Sequence, residues 1–182
     1  MARRRARLDK EARRLQMLQR YEKQRVRNQL AAPGRHPYAL VLDGLKAGYN
    51  VAKIFRSALA MGAAEIHLVD IGPFDPAPAK GAFRKVPARF HDDFASAFTD
   101  LERRDFSLFA LNPGARRSLP DQVLPTRSAF VFGHEEHGLS FDPADYPALG
   151  QLAIPQSGEI ESLNVSIAAS IVMYEYLRQH GI

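Results

Sequence analysis

Cysteine is missing from the 182-residue sequence, which excludes disulfides, a thiolate nucleophile and a cysteine-built metal site. No apolar run approaches the length of a membrane-spanning helix. The basic start, MARRRARLDK, leads into no hydrophobic segment, so we expect no secretory signal. The six histidines are scattered without HExxH spacing, and we expect no metal. These features fit a cytoplasmic protein with no membrane partner.

Acidic residues are scarce at the N-terminus, where positive charge is concentrated. Residues 1–27 hold eleven of the 25 Lys and Arg residues but only three acids, whereas the rest of the chain carries a net charge of −3. This segment has two interpretations, a nucleic-acid-binding arm rich in Arg or a solvated charged helix. Helical spacing is shown by the apolar residues Leu8, Ala12, Leu15, Leu18 and Tyr21.

The rest of the sequence alternates apolar runs with helical patterns. Strands are predicted at 38–43, 65–70, 105–111, 128–133 and 151–155, and helices at 49–62, 91–104 and 162–179. Pro and Gly predict a linker at 31–37 and a long loop at 71–90. We therefore expect a basic helical extension at 1–30 and an α/β domain at 38–182, with a mostly parallel sheet and helices on both faces. Ligands of such sheets bind beyond the carboxyl ends of the strands.

Two loops suggest chemistry that their residues support poorly. The loop DGLKAGYN after the first strand has only Gly44 and Gly48 instead of GxGxxG, which disfavours a nicotinamide-dependent oxidoreductase on a Rossmann core. The loop GHEEHGLS places Ser140 near His134 and His137, but it is not the GxSxG of a serine hydrolase. Its H-E-E-H run also gives poor geometry for a metal.

Polar residues stand in apolar surroundings in two helices. Asn50 lies near a predicted helix start, where it could simply cap the helix. Arg56 lies within an apolar run, from which its long side chain could reach solvent by snorkelling. The last helix is apolar almost all round, which predicts that it is buried together with Ser162 and Asn164 at its start, and Ser166 follows them. Buried polar groups need partners, and capping easily explains only Ser162.

Three segments, in this order, resemble the motifs of the SpoU/TrmH class of knotted (SPOUT) RNA ribose methyltransferases. NVAKIFRSALAMGA is similar to the first motif, with Asn50 and Arg56 in register. FVFGHEEHGLS is similar to the second, whose pattern is G-x-E-x-x-G-L-S, and IPQSGEIESLNVSIAASIVMYEYLRQ to the third. The resemblance covers about residues 38–179. The loop at 71–90 departs from the family pattern and keeps only the KGA at 80–82.

The resemblance implies a C-terminal trefoil knot, an exception to the rule that protein chains are unknotted. It implies transfer of a methyl group from S-adenosylmethionine to a ribose 2′-hydroxyl of tRNA or rRNA, without a metal, by a homodimer whose sites each use both subunits. The main chain of the knot loops would hold the cofactor, at positions that match Leu111, Gly133, Ile154, Ser162 and Leu163. A knotted protein that binds RNA without catalysis is the alternative.

The resemblance also assigns catalytic roles. Arg56 is the family's candidate for removing the proton, but a guanidinium stays protonated in proteins and rarely gives up a proton to act as a base. We therefore expect Arg56 to bind the flanking phosphate and to stabilise alkoxide charge. Glu135 would orient Arg56 or Asn50, and Ser162 and Asn164 would complete a polar cradle. The expected RNA-binding residues are Arg3, Arg4, Arg5, Arg7, Arg13, Arg14, Lys80, Arg84 and Lys85.

Overall fold

The computed structural model describes residues 2–181, with side chains from residue 9 onward. The described chain forms the helices α1 (Ala2–Asn28), α2 (Tyr49–Ala60), α3 (Phe94–Arg103) and α4 (Val165–His180). Its strands are β1 (His36–Asp43), β2 (Ala63–Val69), β3 (Ala88–His91), β4 (Ser107–Leu111), β5 (Ser128–Phe132) and β6 (Gly150–Leu152). None of these helices is long and apolar enough to cross a membrane.

The six strands form one parallel sheet in the order β3-β2-β1-β5-β4-β6. Helices cover both faces, with α1, α2 and α4 packed on one side and α3 on the other. Strands covered on both sides are apolar throughout, which is why β1, β2 and β5 were visible as apolar runs. The strand order reverses between β1 and β5, so the loops that leave these two strands diverge and open a crevice. The predicted α/β fold is confirmed.

The sequence missed β3, whose first three residues lie in the predicted loop 71–90 and whose last residue, His91, was predicted to begin the helix at 91–104. This strand is four residues long and forms one edge of the sheet, and its central residues Arg89 and Phe90 are exposed. A short edge strand therefore shows neither an apolar run nor a clean alternation. The predicted linker at 31–37 also runs into β1, which begins at His36.

The closing helix begins at Val165, not at 162 as predicted, because Asn164 is its N-cap. The Asn164 Oδ1 accepts hydrogen bonds from the Ser166 backbone N–H at 3.0 Å and from the Ser166 hydroxyl at 2.6 Å. Ser162 and Asn164 are exposed, so the prediction that they are buried was wrong, and only Ser166 is buried. The capping role that the sequence suggested for Ser162 belongs to Asn164.

After β6 the chain runs against the loop that joins β4 to β5. The Ala153 N–H donates to the carbonyl of Arg117, and the Ala153 carbonyl accepts from the Leu119 N–H, both at 2.8 Å. Residues 153–164 then lead to α4, which packs on α2. This crossing lies where the resemblance to SPOUT proteins places the knot.

The second half of α1 is fastened to the body. Tyr21 is 2% exposed and stacks on Phe83, with 5.4 Å between ring centroids. Asn28 donates from its Nδ2 to the carbonyls of Phe83 and Val86, and its Oδ1 accepts from the Ala88 N–H at 2.9 Å. The side chains of residues 9–16 are exposed. The helix is therefore anchored at its C-terminal half, and residues 9–16 of its more basic half are exposed to solvent.

A buried carboxylate ties β2 to β3 and to the end of α3. Glu65 is 2% exposed, and its oxygens accept from Arg89 at 2.7 Å, from Arg104 at 2.6 Å and from His67 at 3.1 Å. Burial alone would raise the pKa of Glu65, but the hydrogen bonds from His67, Arg104 and Arg89 outweigh it, and this pKa lies well below its usual value. The ionised form of Glu65 is therefore the one that the fold stabilises.

Glu65→Gln is expected to lower the free energy of unfolding at pH 7 by about 1–3 kcal/mol, because hydrogen bonds to a charged group are lost. Since the pKa is lower in the folded state, this stabilisation is complete above the unfolded pKa of about 4.3 and is lost as the pH falls below it. Urea unfolding of the unaltered protein and of Glu65→Gln should show a difference in the free energy of unfolding that becomes smaller below about pH 4. Glu102→Gln, at an exposed position of α3, is the control. Equal stabilities at pH 7 would contradict the argument.

Candidate active site

A cavity of about 710 Å³ opens at the carboxyl ends of β4, β5 and β6. Its wall comes from the loops that follow these strands and from the first turn of α4. The volume falls in the range of about 300–1,000 Å³ that is typical of small-molecule sites. The cavity therefore lies where an open parallel sheet binds its ligands.

The residues predicted to bind a cofactor meet in this cavity, although they come from four separate segments. The wall includes Leu111, Gly133, Ile154, Ser162 and Leu163. Three of these segments are loops at strand ends, and such loops present backbone N–H and carbonyl groups to a ligand. This placement agrees with the resemblance, which implies that main-chain groups bind the adenosine of the cofactor.

The loop 133–140 contains a tight turn, from 133 to 138, that requires glycine at both ends. The N–H of His134 donates to the Gly138 carbonyl at 2.7 Å, and the N–H of Gly138 donates to the His134 carbonyl at 2.9 Å. A Cβ atom on Gly133 would come within 2.5 Å of the Gly138 backbone, and Gly138 itself has a φ of +73°. A larger residue at either position would force the turn open.

A chain of polar side chains runs along the edge of the cavity. The Asn164 Nδ2 donates to the Asn50 Oδ1 at 3.3 Å, and the Asn50 Nδ2 donates to the Glu135 Oε1 at 2.9 Å. The backbone N–H of Lys46 also donates to Glu135, at 3.4 Å. Burial acts to raise the pKa of Glu135, but the hydrogen bonds from Asn50 and from backbone N–H groups outweigh it and hold this pKa below its usual value. Glu135 thus acts as an ionised acceptor that orients Asn50.

Arg56 stands apart from this chain. It is exposed on α2, it is absent from the cavity wall, and within the described part of the protein it has no acidic partner. The sequence left open whether Glu135 orients Arg56 or Asn50, and the contact is with Asn50. Ser162 lines the cavity and is exposed. The structure therefore brings together four of the five candidate catalytic residues and leaves Arg56 outside.

The sequence missed Asn112 in the cavity wall. Its Nδ2 donates to Gln151 at 3.0 Å, and its Oδ1 accepts from the Gly114 N–H at 3.0 Å. The available signal was its position directly after an apolar strand, where an open sheet places ligand contacts.

The candidate RNA-binding residues lie on two neighbouring elements. Arg13 and Arg14 are exposed on α1, and Lys80, Arg84 and Lys85 are exposed in the segment against which α1 packs. Arg3, Arg4, Arg5 and Arg7 belong to α1, but their side chains lie outside the described residues. Across residues 9–181, no three side chains of His, Asp or Glu converge on a point that could hold a metal ion.

The chain is similar to enzymes that methylate RNA. A tRNA (guanosine(18)-2′-O)-methyltransferase of Thermus thermophilus is 34% identical over 90% of this chain and 86% of its own length. The 23S rRNA (guanosine-2′-O-)-methyltransferase RlmB of Xylella fastidiosa is 30% identical over 87% of this chain and 66% of its own length. The SpoU methyltransferase AviRb of Streptomyces viridochromogenes, solved with the cofactor AdoMet, shares the fold with a TM-score of 0.71 at 23% identity, over 81% of this chain and 60% of AviRb.

A family model confirms the resemblance that the three motifs carry. The model of the SpoU rRNA methylase family matches residues 37–174, which include the cavity and the polar chain. The predicted class of enzyme, an RNA ribose methyltransferase that uses S-adenosylmethionine, is confirmed at the level of the family. The alternative of a nicotinamide-dependent oxidoreductase on a Rossmann core is thereby set aside. This chain belongs to the SpoU rRNA methylase family.

Proposed function

We propose that this protein transfers a methyl group from S-adenosylmethionine to a ribose 2′-hydroxyl of tRNA or rRNA in the cytoplasm. The observation that carries the proposal is the cavity in which the loops after β4, β5 and β6 meet the Asn164–Asn50–Glu135 chain. The named relatives act on guanosine. Guanosine is therefore the first nucleotide to test.

The residues present fit this cofactor and this reaction. S-adenosylmethionine supplies an activated methyl group on a sulfonium, so the protein must align the reactants and handle one proton. Leu111, Gly133 and Ile154 would hold the adenosine with their main chain, because they line a cavity of suitable volume. Asn164 and Asn50, fixed by Glu135, would orient the ribose at the cavity edge. No described residue needs to carry a metal for these tasks.

A second copy of the chain would complete the site. Ile167, Ile171 and Tyr174 recur at helical spacing on the outer face of α4 and are 53%, 36% and 55% exposed. The same helix lines the cavity with Val165 and Ala168, so a partner packed on this face would border the cavity. Arg56 lies on the adjacent helix α2, which supports a homodimer in which the Arg56 of one copy serves the cavity of the other.

The basic half of α1 would bind the RNA backbone. Replacing Arg13 and Arg14 by Gln is expected to weaken RNA binding and to reduce the slope of log affinity against log salt by about one to two units, because each phosphate contact releases counterions. Affinity should be measured at several salt concentrations. Arg103→Gln, on α3 at the opposite face of the sheet, is the control. An unchanged slope in the double variant would place the RNA elsewhere.

The experiment that tests the function is methyl transfer from labelled S-adenosylmethionine to total RNA from cells that lack this protein. Digestion to nucleosides should give a labelled 2′-O-methylated nucleoside, whose base identifies the target. A product methylated on its base would refute the ribose assignment. Tight binding of S-adenosylmethionine without transfer to any RNA pool would favour the alternative, a knotted protein that only binds RNA.

A further inference from the structure

A fully buried carboxylate lies behind the cavity wall and has no role in the function proposed so far. Asp43 ends β1 and is 0% exposed. Its Oδ2 accepts from the backbone N–H of Ser140, and its Oδ1 accepts from the Ser140 hydroxyl, both at 2.7 Å. The two residues are 97 positions apart in the sequence. The backbone N–H and the hydroxyl of Ser140 therefore both donate to the Asp43 carboxylate.

This contact closes the loop 133–140 at its base. Leu42 is paired with Phe132, so Asp43 lies beside the point where the loop leaves β5 at Gly133. Ser140 is the last residue of the loop, and its neighbour Leu139 lines the cavity. Asp43 thus links the beginning of the loop to its end, across the base of the turn that forms one wall of the cavity.

Other contacts also hold the loop, and they include the ion pair of Lys46 with Glu136 at 2.5 Å and the hydrogen bond from the Lys46 N–H to Glu135. The paired backbone hydrogen bonds between His134 and Gly138 shape its tip. The hydrogen bond from Asn50 to Glu135 joins two partly solvated side chains. Asp43 differs from these contacts because its fully buried carboxylate accepts two hydrogen bonds at 2.7 Å, whereas Lys46, Glu135 and Glu136 are exposed.

Burying a carboxylate is costly, and within the described residues Asp43 has no cationic partner that would offset the cost. The double acceptance from Ser140 is what stabilises the carboxylate in this position. We propose that Asp43 is a positioning residue, which holds the loop 133–140 in the conformation that binds S-adenosylmethionine. The proposal rests on the function proposed above, because it presumes that this cavity takes the cofactor.

The test is the affinity for S-adenosylmethionine, measured by titration calorimetry without RNA. Asp43→Ala leaves the Ser140 N–H without its acceptor and should weaken binding at least about tenfold, whereas Asp43→Asn keeps an acceptor for the N–H and should restore part of the affinity. Ser140→Ala loses only the hydroxyl contact and should weaken binding about threefold. Amide hydrogen exchange in residues 133–140 should accelerate in the same order.

The matched control is Glu65→Gln, which alters another buried carboxylate on β2, a strand that contributes no residue to the cavity wall. This variant should lose stability but bind S-adenosylmethionine as the unaltered protein does, at a temperature where all variants are folded. Unchanged affinity in Asp43→Ala would overturn the proposal. If Asp43→Ala does not fold, unchanged affinity in both Asp43→Asn and Ser140→Ala overturns it. If the unaltered protein itself does not bind S-adenosylmethionine, the proposed function is what fails.

Discussion

Arg56→Ala is expected to reduce methyl transfer by about a hundredfold to a thousandfold, because one group that stabilises developing negative charge is removed. S-adenosylmethionine should bind as before, since Arg56 is absent from the wall of the cavity. Single-turnover transfer and a separate titration of the cofactor measure the two effects. Arg56→Lys should recover little of the rate, because an ammonium lacks the planar fork that pairs with a phosphate.

The control for this variant is Lys53→Ala, which removes an exposed cation one turn earlier on the same helix. Its rate should remain close to that of the unaltered protein. Transfer that survives in Arg56→Ala would show that Arg56 does not act in the reaction.

Ile171→Glu is expected to convert the proposed homodimer to monomers and to abolish transfer with it. Ile171 lies at the centre of the exposed stripe on α4, where it is 36% exposed in a single copy, so a Glu side chain can reach solvent in the monomer. In a dimer that buries this face, the carboxylate would be desolvated without a partner. Light scattering after size-exclusion chromatography gives the mass, and the transfer assay gives the activity.

Leu30→Glu is the matched control, because Leu30 is 89% exposed and lies on the segment after α1 rather than on α4. It should leave both the mass and the activity unchanged. A dimer that persists in Ile171→Glu would place the interface on another face.

Mixing two inactive variants shows which copy supplies Arg56. In a mixed dimer of Arg56→Ala with Asn164→Ala, one cavity keeps its own Asn164 and faces an intact Arg56 on the second copy. That cavity should be active if Arg56 acts between subunits, and transfer should reappear on mixing. Both cavities would be impaired if Arg56 served its own chain, and mixing would then restore nothing.

The sequence predicted the α/β fold and most of its elements because the central strands are covered on both faces and are therefore apolar. It missed β3, whose exposed Arg89 and Phe90 follow no period. It placed the start of the last helix three residues too early, since capping by Asn164 depends on local backbone geometry and not on hydrophobicity. Patterns of apolar residues thus locate elements well and their ends poorly.

The candidate site was likewise predicted in part, with some of its residues identified from the sequence and others not. The motifs identified Gly133, Ile154 and Leu163 through the resemblance, and the fold brings them into one cavity. The contact between Asp43 and Ser140 could not be predicted, because it joins residues 97 positions apart. The sequence around each of these residues gives no signal that points to the other. Pairings at such separation are determined by the strand order, which composition and periodicity do not contain.

The anchoring of α1 has a consequence for how this protein resists aggregation. Asn28 accepts a hydrogen bond from the outward-facing N–H of Ala88 on the edge strand β3, and Tyr21 covers the rings of Phe74 and Phe83. An open strand edge beside uncovered aromatic rings is a template for pairing with another chain. A protein shortened by the whole of α1 would therefore self-associate, whereas replacing Arg13 and Arg14 by Gln removes their charges, keeps the edge covered and leaves RNA binding measurable.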